Sequence, residues 1–162
     1  MSLFPVKPIP IEVDGLQVGI SRLEPVRQRF AQAISDSVAI GLQARWHEQA
    51  GVRRFAIDPA GGRWSVGGVV PASLVVEFLG DQLMRMEATI EAAEVRRVVR
   101  YFTGKLGEPT QSDDEWFMWK DDPSMVILQC HEATATFDMV HLDVVHWAED
   151  RAQAEQERRN SA

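Results

Sequence analysis

The feature that most restricts the fold of this chain is a pair of strand-like runs, Ser73 to Leu79 and Gln82 to Ala88, separated only by Gly80-Asp81. A two-residue loop of this composition favours a primed turn, which joins antiparallel neighbours and leaves no chain for a crossover. The same punctuation recurs. Ile11-Glu12-Val13 and Gln17-Val18-Gly19-Ile20 flank Asp14-Gly15, a dipeptide that accepts the positive φ angles of a tight turn. Phe55 and Ile57 alternate with Ala56 and Asp58, and Pro59-Ala60-Gly61-Gly62 then turns the chain into Arg63-Trp64-Ser65-Val66, which predicts another hairpin. Glu115 to Lys120 and Met125 to Glu132 read as strands around Asp121-Asp122-Pro123-Ser124, and a further strand is expected over Thr134 to Val140.

Two segments carry helical spacing. Val26, Phe30, Ile34, Val38, Leu42 and Trp46 recur every four residues, with Ser21 and Glu24 at capping-box spacing, Pro25 suited to the first helical position, and Gly51 as a stop. A continuous helix from Pro25 to Ala50 would be about 39 Å long, and Ser35-Asp36-Ser37 marks where a break is expected. From Thr89 onward, Val95, Val98, Val99, Phe102 and Leu106 line one face of a second helix. Glu91 and Glu94 near its start and Lys105 near its end suit the helix dipole, and Gly107 and Pro109 end it.

Hairpins grouped around two helices, without strict βαβ alternation, predict an α+β fold: an antiparallel sheet built from hairpins with two main helices packed on one face. With 45% hydrophobic and 25% charged residues and no linker or repeat, residues 1–147 are expected to form one domain. Residues 148–162 are rich in charge and helix formers and have no large apolar residue, so they read as a charged tail, helical or frayed and little buried.

A net charge of −7 opposes binding to nucleic acid or anionic membranes and points to a basic protein partner. The longest apolar stretch, Val66 to Leu79, is broken by Gly67, Gly68, Pro71, Ser73 and Glu77 and is too short to span a bilayer. Met1 to Pro10 has no apolar h-region or cleavage site, and Cys130 is the single cysteine; both fit the reducing cytoplasm.

The motifs of catalysis and cofactor binding do not match. Gly61-Gly62 and Gly67-Gly68 lack P-loop spacing, and Gly104-Lys105 lies on a predicted helix, so no nucleotide cofactor is expected. Cys130, His131, Glu132, His141, Asp143 and His146 are the nearest approach to a metal set. Cys130 and His131 point to opposite faces of a strand, and His141 and His146 are off the i,i+4 register, so no metal is expected either. Cys130 reads as a buried, unreactive strand thiol, and no serine sits in a nucleophile elbow. These readings oppose an enzyme.

The segment from Val98 to Leu128 contains a helix ending Leu106-Gly107-Glu108-Pro109, a polar link, then Trp116-Phe117-Met118-Trp119 and a second strand. This pattern resembles small bacterial domains with the β-lactamase-inhibitor-protein-like fold, a group that includes small outer-membrane assembly lipoproteins. The resemblance implies a small sheet that binds other proteins. No lipobox cysteine or signal peptide accompanies it, so it does not extend to a lipoprotein role.

The expected function is therefore a non-enzymatic protein-binding domain, an inhibitor, immunity protein or assembly adaptor. Its expected contact residues are Asp113, Asp114, Trp116, Trp119, Asp121 and Asp122, where tryptophans with large contact area are bracketed by acid pairs that would steer a basic partner. Trp116 and Met118 face one side of the strand, and Phe117 and Trp119 the other. The alternative is a small-molecule pocket between the sheet and the long first helix, lined by Trp46, Trp64, Met84 and Met86.

Overall fold

The computed structural model describes residues 11–39 and 41–161. The chain opens with the expected tight hairpin, β1 (Glu12–Val13) and β2 (Leu16–Gln17), turning at Asp14-Gly15. Helix α1 (Leu23–Arg29), strand β3 (Ile34–Asp36) and helix α2 (Leu42–Ala50) follow. Strands β4 (Val52–Ile57), β5 (Ser73–Leu79) and β6 (Gln82–Glu91) then lead through a 3-10 turn, Ala92–Glu94, into helix α3 (Val95–Leu106). Strands β7 (Gln111–Ser112), β8 (Trp116–Asp121), β9 (Ser124–Cys130) and β10 (Thr134–His141) precede helix α4 (Leu142–Asn160).

The fold is α+β with an antiparallel sheet, as the turn punctuation requires. β3 to β10 form one eight-stranded sheet in the order β3-β4-β5-β6-β10-β9-β8-β7, every neighbour antiparallel. It consists of two four-stranded meanders joined where β6 pairs with β10. Helix α3 carries the chain from the centre of the sheet to its far edge.

One face of this sheet holds the main core. Phe55, Ile57, Leu74, Val76, Phe78, Met86, Ala88, Ile90, Phe137, Leu128 and Trp119 point into it and are buried. The β1–β2 hairpin, α1 and the amphipathic face of α3 cover them through Val13, Leu16, Val26, Phe30, Val98 and Phe102. Phe102 sits between Trp119 and Phe137, at centroid distances of 5.4 and 5.9 Å. Gly107, at φ +85°, ends α3 where the sequence placed its stop.

Three features differ from the sequence-based expectation. The predicted first helix is two short helices with an edge strand between them. Leu23 at the start of α1 donates its N–H to the Asp81 side chain in the β5–β6 turn (3.1 Å), so this cap comes from far along the chain. Gly51, left-handed at φ +75°, closes α2 as expected. The predicted hairpin over residues 55–66 turns at Pro59–Gly62 but does not return as a strand. Trp64 instead inserts into the main core, stacks on Phe137 at 6.5 Å and donates Nε1–H to the Val13 carbonyl (3.1 Å). β4 instead pairs with β3 on one side and β5 on the other.

The third difference concerns the helices. Two were expected on one face, and α1 and α3 fulfil that. Two more, α2 and α4, pack on the opposite face, where Ala50, Val144, Ala148 and Ala152 meet Val52, Leu79 and Met84. Glu77 pairs with Arg85 and Phe78 with Leu83, so Met84 is the extra residue of a β-bulge. The bulge turns Met84 toward the helices while Arg85 stays opposite Glu77. Within residues 148–162, Ala148 and Ala152 are buried in this second cluster and the other described side chains are largely exposed. No helix among the described residues is long and apolar enough to cross a membrane.

Candidate functional site

The two faces of the sheet are unlike, and the unlikeness comes from strand alternation. On the second face the register aligns Arg54, Glu77, Arg85, Val140, Met125 and Lys120 in one row across β4, β5, β6, β10, β9 and β8. The next row runs Ala56, Val75, Glu87, Asp138, Ile127 and Met118. A third places Thr89, Thr136, Gln129 and Trp116 side by side. The face thus divides into a charged half over β4, β5, β6 and the adjoining part of β10, and an apolar half over β10, β9 and β8.

The charged half centres on Arg85. Its Nη2 lies 2.9 Å from Glu87 Oε2, its Nε donates to Asp138 Oδ1 (2.8 Å), and its Nη1 lies 3.5 Å from Glu77 Oε1. Arg54 approaches Glu77 at 3.8 Å, and His47 Nε2 of α2 lies 3.1 Å from Glu77 Oε2. Glu77 and His47 are buried under α2, whereas the side chains of Glu87 and Asp138 retain 38% and 29% of their exposure. Burial lowers the pKa of His47 against the opposing pull of Glu77, so the imidazole is held toward its neutral form. Burial raises the pKa of Glu87, and the Asp138 carboxylate directly opposite on β10 adds to the rise. Three carboxylates, Glu77, Glu87 and Asp138, therefore share two guanidinium groups, Arg54 and Arg85.

The apolar half is formed by Met118, Met125, Ile127, Val140 and Trp116, all half-buried. Helices α2 and α4 make their principal contacts with each other and with β4, β6 and β10, and α3 meets β8 from the other face through Phe102 and Trp119. The strip over β9 and β8 thus lies beside the helical layer rather than beneath it.

The predicted contact residues are split by this geometry. Trp116 is half-buried on the strip. Trp119 is not at the surface: it is 1% exposed, donates Nε1–H to the Gly107 carbonyl (3.1 Å) and packs on Phe102. Its side of β8 is the one that α3 covers. Asp113 and Asp114 are exposed in the β7–β8 turn, where Asp113 Oδ1 accepts the Glu115 N–H (2.8 Å). At the other end of β8, Asp122 is exposed beside Lys120 (3.7 Å) and Asp121 is half-buried. The acid pairs thus sit at opposite ends of β8, a strand about 17 Å long at about 3.4 Å per residue, and do not surround one tryptophan.

The expected small-molecule pocket does not form around its four named residues. Trp64 and Met86 are fully buried in the main core, while Met84 and Trp46 belong to the cluster on the other face. A cleft of about 360 Å³ lies elsewhere, between Gly19, Ile20, Arg22, the Gly80-Asp81 turn and Arg151. Among the described residues no group of three or more His, Cys, Asp or Glu is arranged to hold a metal ion. His131 is exposed near Thr136, His141 caps α4 by accepting the Val144 N–H, and His146 is exposed on α4. Cys130 is half-buried on β9, and burial, then Glu115 and Asp113, push its thiol pKa up, away from the reactive thiolate.

The residues that sequence reading missed are Glu77, Arg85, Glu87 and Asp138. Their signal was the placement of charges within apolar runs, as in Val76-Glu77-Phe78, Met84-Arg85-Met86-Glu87-Ala88 and Phe137-Asp138-Met139. Compared with protein-family models, curated proteins and solved structures, the chain matches none.

Proposed function

We propose that this chain is a non-enzymatic protein-binding domain that receives a basic partner on the open half of the second sheet face. The observation that supports this most directly is the continuity of two surfaces: the strip of Trp116, Met118 and Ile127 runs without a break into the accessible carboxylates of Glu87 and Asp138. An apolar patch supplies contact area, and charges at its margin steer encounter and fix orientation. The chain's net charge of −7 acts in the same sense. An inhibitor, an immunity protein or an assembly adaptor acting in the bacterial cytoplasm would use such a face, and the resemblance to protein-binding domains of the β-lactamase-inhibitor-protein-like fold agrees with it. The His47–Glu77 pair is the arrangement nearest to acid–base machinery, but it is shut beneath α2 and receives no hydrogen bond from a serine, threonine or cysteine among the described residues.

Site-specific photo-crosslinking in the native cell tests this reading. A photoreactive residue at Met118 is expected to give a discrete adduct with a different, basic protein. One at Lys105, exposed on α3 on the other side of the sheet, is expected to give none. Equal patterns at the two positions would contradict the proposal.

A further inference from the structure

We infer that the open strip is the seat of one amphipathic α-helix of a basic partner protein, with a lysine or arginine on its flank directed at Glu87 and Asp138. This rests on the reading of the chain as a protein-binding domain, and adds the shape and the chemistry of what it binds.

The shape follows from the width of the strip and from its edge. Neighbouring strands lie about 4.8 Å apart, so β10 to β8 spans about 10 Å, the diameter of a single helix with its side chains. The second face already carries two helices, α2 and α4, on its other half, and a third would complete the layer. A partner strand added to the β8 edge is excluded over Trp116 to Met118, because that edge is taken. β7 pairs there through Gln111 and Ser112, the Thr110 N–H donates to the Met118 carbonyl (2.7 Å), and the Asp113 N–H donates to the Trp116 carbonyl (2.8 Å). A partner that covers Trp116 and Met118 therefore lies on the face rather than along the β8 edge.

The chemistry follows from charge. Glu87 and Asp138 are direct cross-strand partners, an arrangement that is destabilising unless a cation bridges it. Arg85 bridges them but also serves Glu77, and the ion-pair contact of Arg54 is with Glu77. Three carboxylates thus face two guanidinium groups, and the two carboxylates that remain accessible are those bordering Ile127 and Met118. A guanidinium or ammonium from outside fills that deficit. A two-fold docking of the strip on itself does not, since it would set Glu87 and Asp138 near the same pair.

Fluorescence anisotropy on the full chain, with labelled peptides of about 18 residues or five helical turns, tests this. One peptide places leucines at helical spacing flanked by lysines. A second has the same composition in strict alternation, and a third replaces the lysines of the first with glutamate. The helical lysine peptide is expected to bind about tenfold tighter than either other peptide. Glu87→Gln with Asp138→Asn is expected to weaken it about tenfold and to flatten its salt dependence. Equal or tighter binding of the alternating peptide, or no effect of the double variant, would overturn the helix or the cation respectively. Adducts from Met118 to a native partner, with neither lysine peptide bound, would overturn this inference and leave the protein-binding reading standing. Adducts from Met118 only to a second copy, or to residues 1–10 of the same chain, would overturn both.

Discussion

The two faces of this sheet are built from the same strands, often from adjacent residues, and do different work. Val76 and Phe78 point into the main core and are fully buried; Glu77 between them points the other way into a network of charge. Met86 and Phe137 are core, while their neighbours Glu87 and Asp138 remain reachable by solvent. A period of two allows a strand to build the core on one side and hold a different environment on the other with little interference, since neighbouring side chains are separated by the sheet itself. The contrast teaches that charges set into apolar strand runs identify the face left over from core building.

The largest expected effect lies on the core face. Trp64→Ala removes a fully buried ring, its stacking on Phe137 and its hydrogen bond to Val13, and is expected to cost about 3 to 5 kcal/mol of unfolding free energy in urea. A loss below about 1 kcal/mol would place Trp64 outside the cooperative core.

How far the sequence foretold this contrast varies by region. The tight turns at Asp14-Gly15 and Gly80-Asp81 and the amphipathic run from Val95 to Leu106 were legible, because each rests on local backbone chemistry. The series from Val26 to Trp46 was misread for a physical reason. A spacing of four keeps residues on one side of a helix, but it also keeps them on one face of a strand, whose period is two. The structure uses the series in several ways: Val26 lies on α1, Ile34 on β3 and Trp46 on α2, while Val38 and Leu42 are 84% and 88% exposed. The candidate site was half legible. Trp116 was identified from its own strand, but which side of β8 is buried depends on α3, and the pairing of Glu87 with Asp138 joins residues far apart in sequence.

On the second face, a smaller effect is expected from breaking the network. Glu77→Gln leaves Arg54 without its carboxylate but leaves Arg85 with Asp138 and Glu87. The loss is expected to be about 2 kcal/mol, below the range of about 3 to 5 for a fully buried pair deprived of one partner. A gain in stability would show that the buried carboxylate is retained at a net cost to the fold.

The smallest effect is a slope with pH. Because the pKa of His47 is lowered in the folded state, the unfolded chain takes up this proton first, and stability is expected to fall as pH drops below about 6.5. His141, lowered by burial, adds to the slope, so His47→Gln should remove only part of it. Glu87 acts in the opposite sense at lower pH, since a raised carboxyl pKa favours the folded state on acidification. Thermal unfolding between about pH 7.5 and 5.5 reads this out. A melting temperature that rises over that interval, or a slope unchanged in His47→Gln, would contradict the placement of His47 beneath α2.

If the strip over β8 and β9 is spare to the fold, removing its apolar surface costs little stability, and one double variant shows whether it does. Met118→Thr with Ile127→Thr keeps good strand formers while removing the apolar surface of the strip. Urea unfolding is expected to show a combined loss of less than about 2 kcal/mol, well short of the loss for Trp64→Ala. A combined loss of about 4 kcal/mol or more, matching a core tryptophan, would contradict the account by showing that the strip is buried within the folded chain.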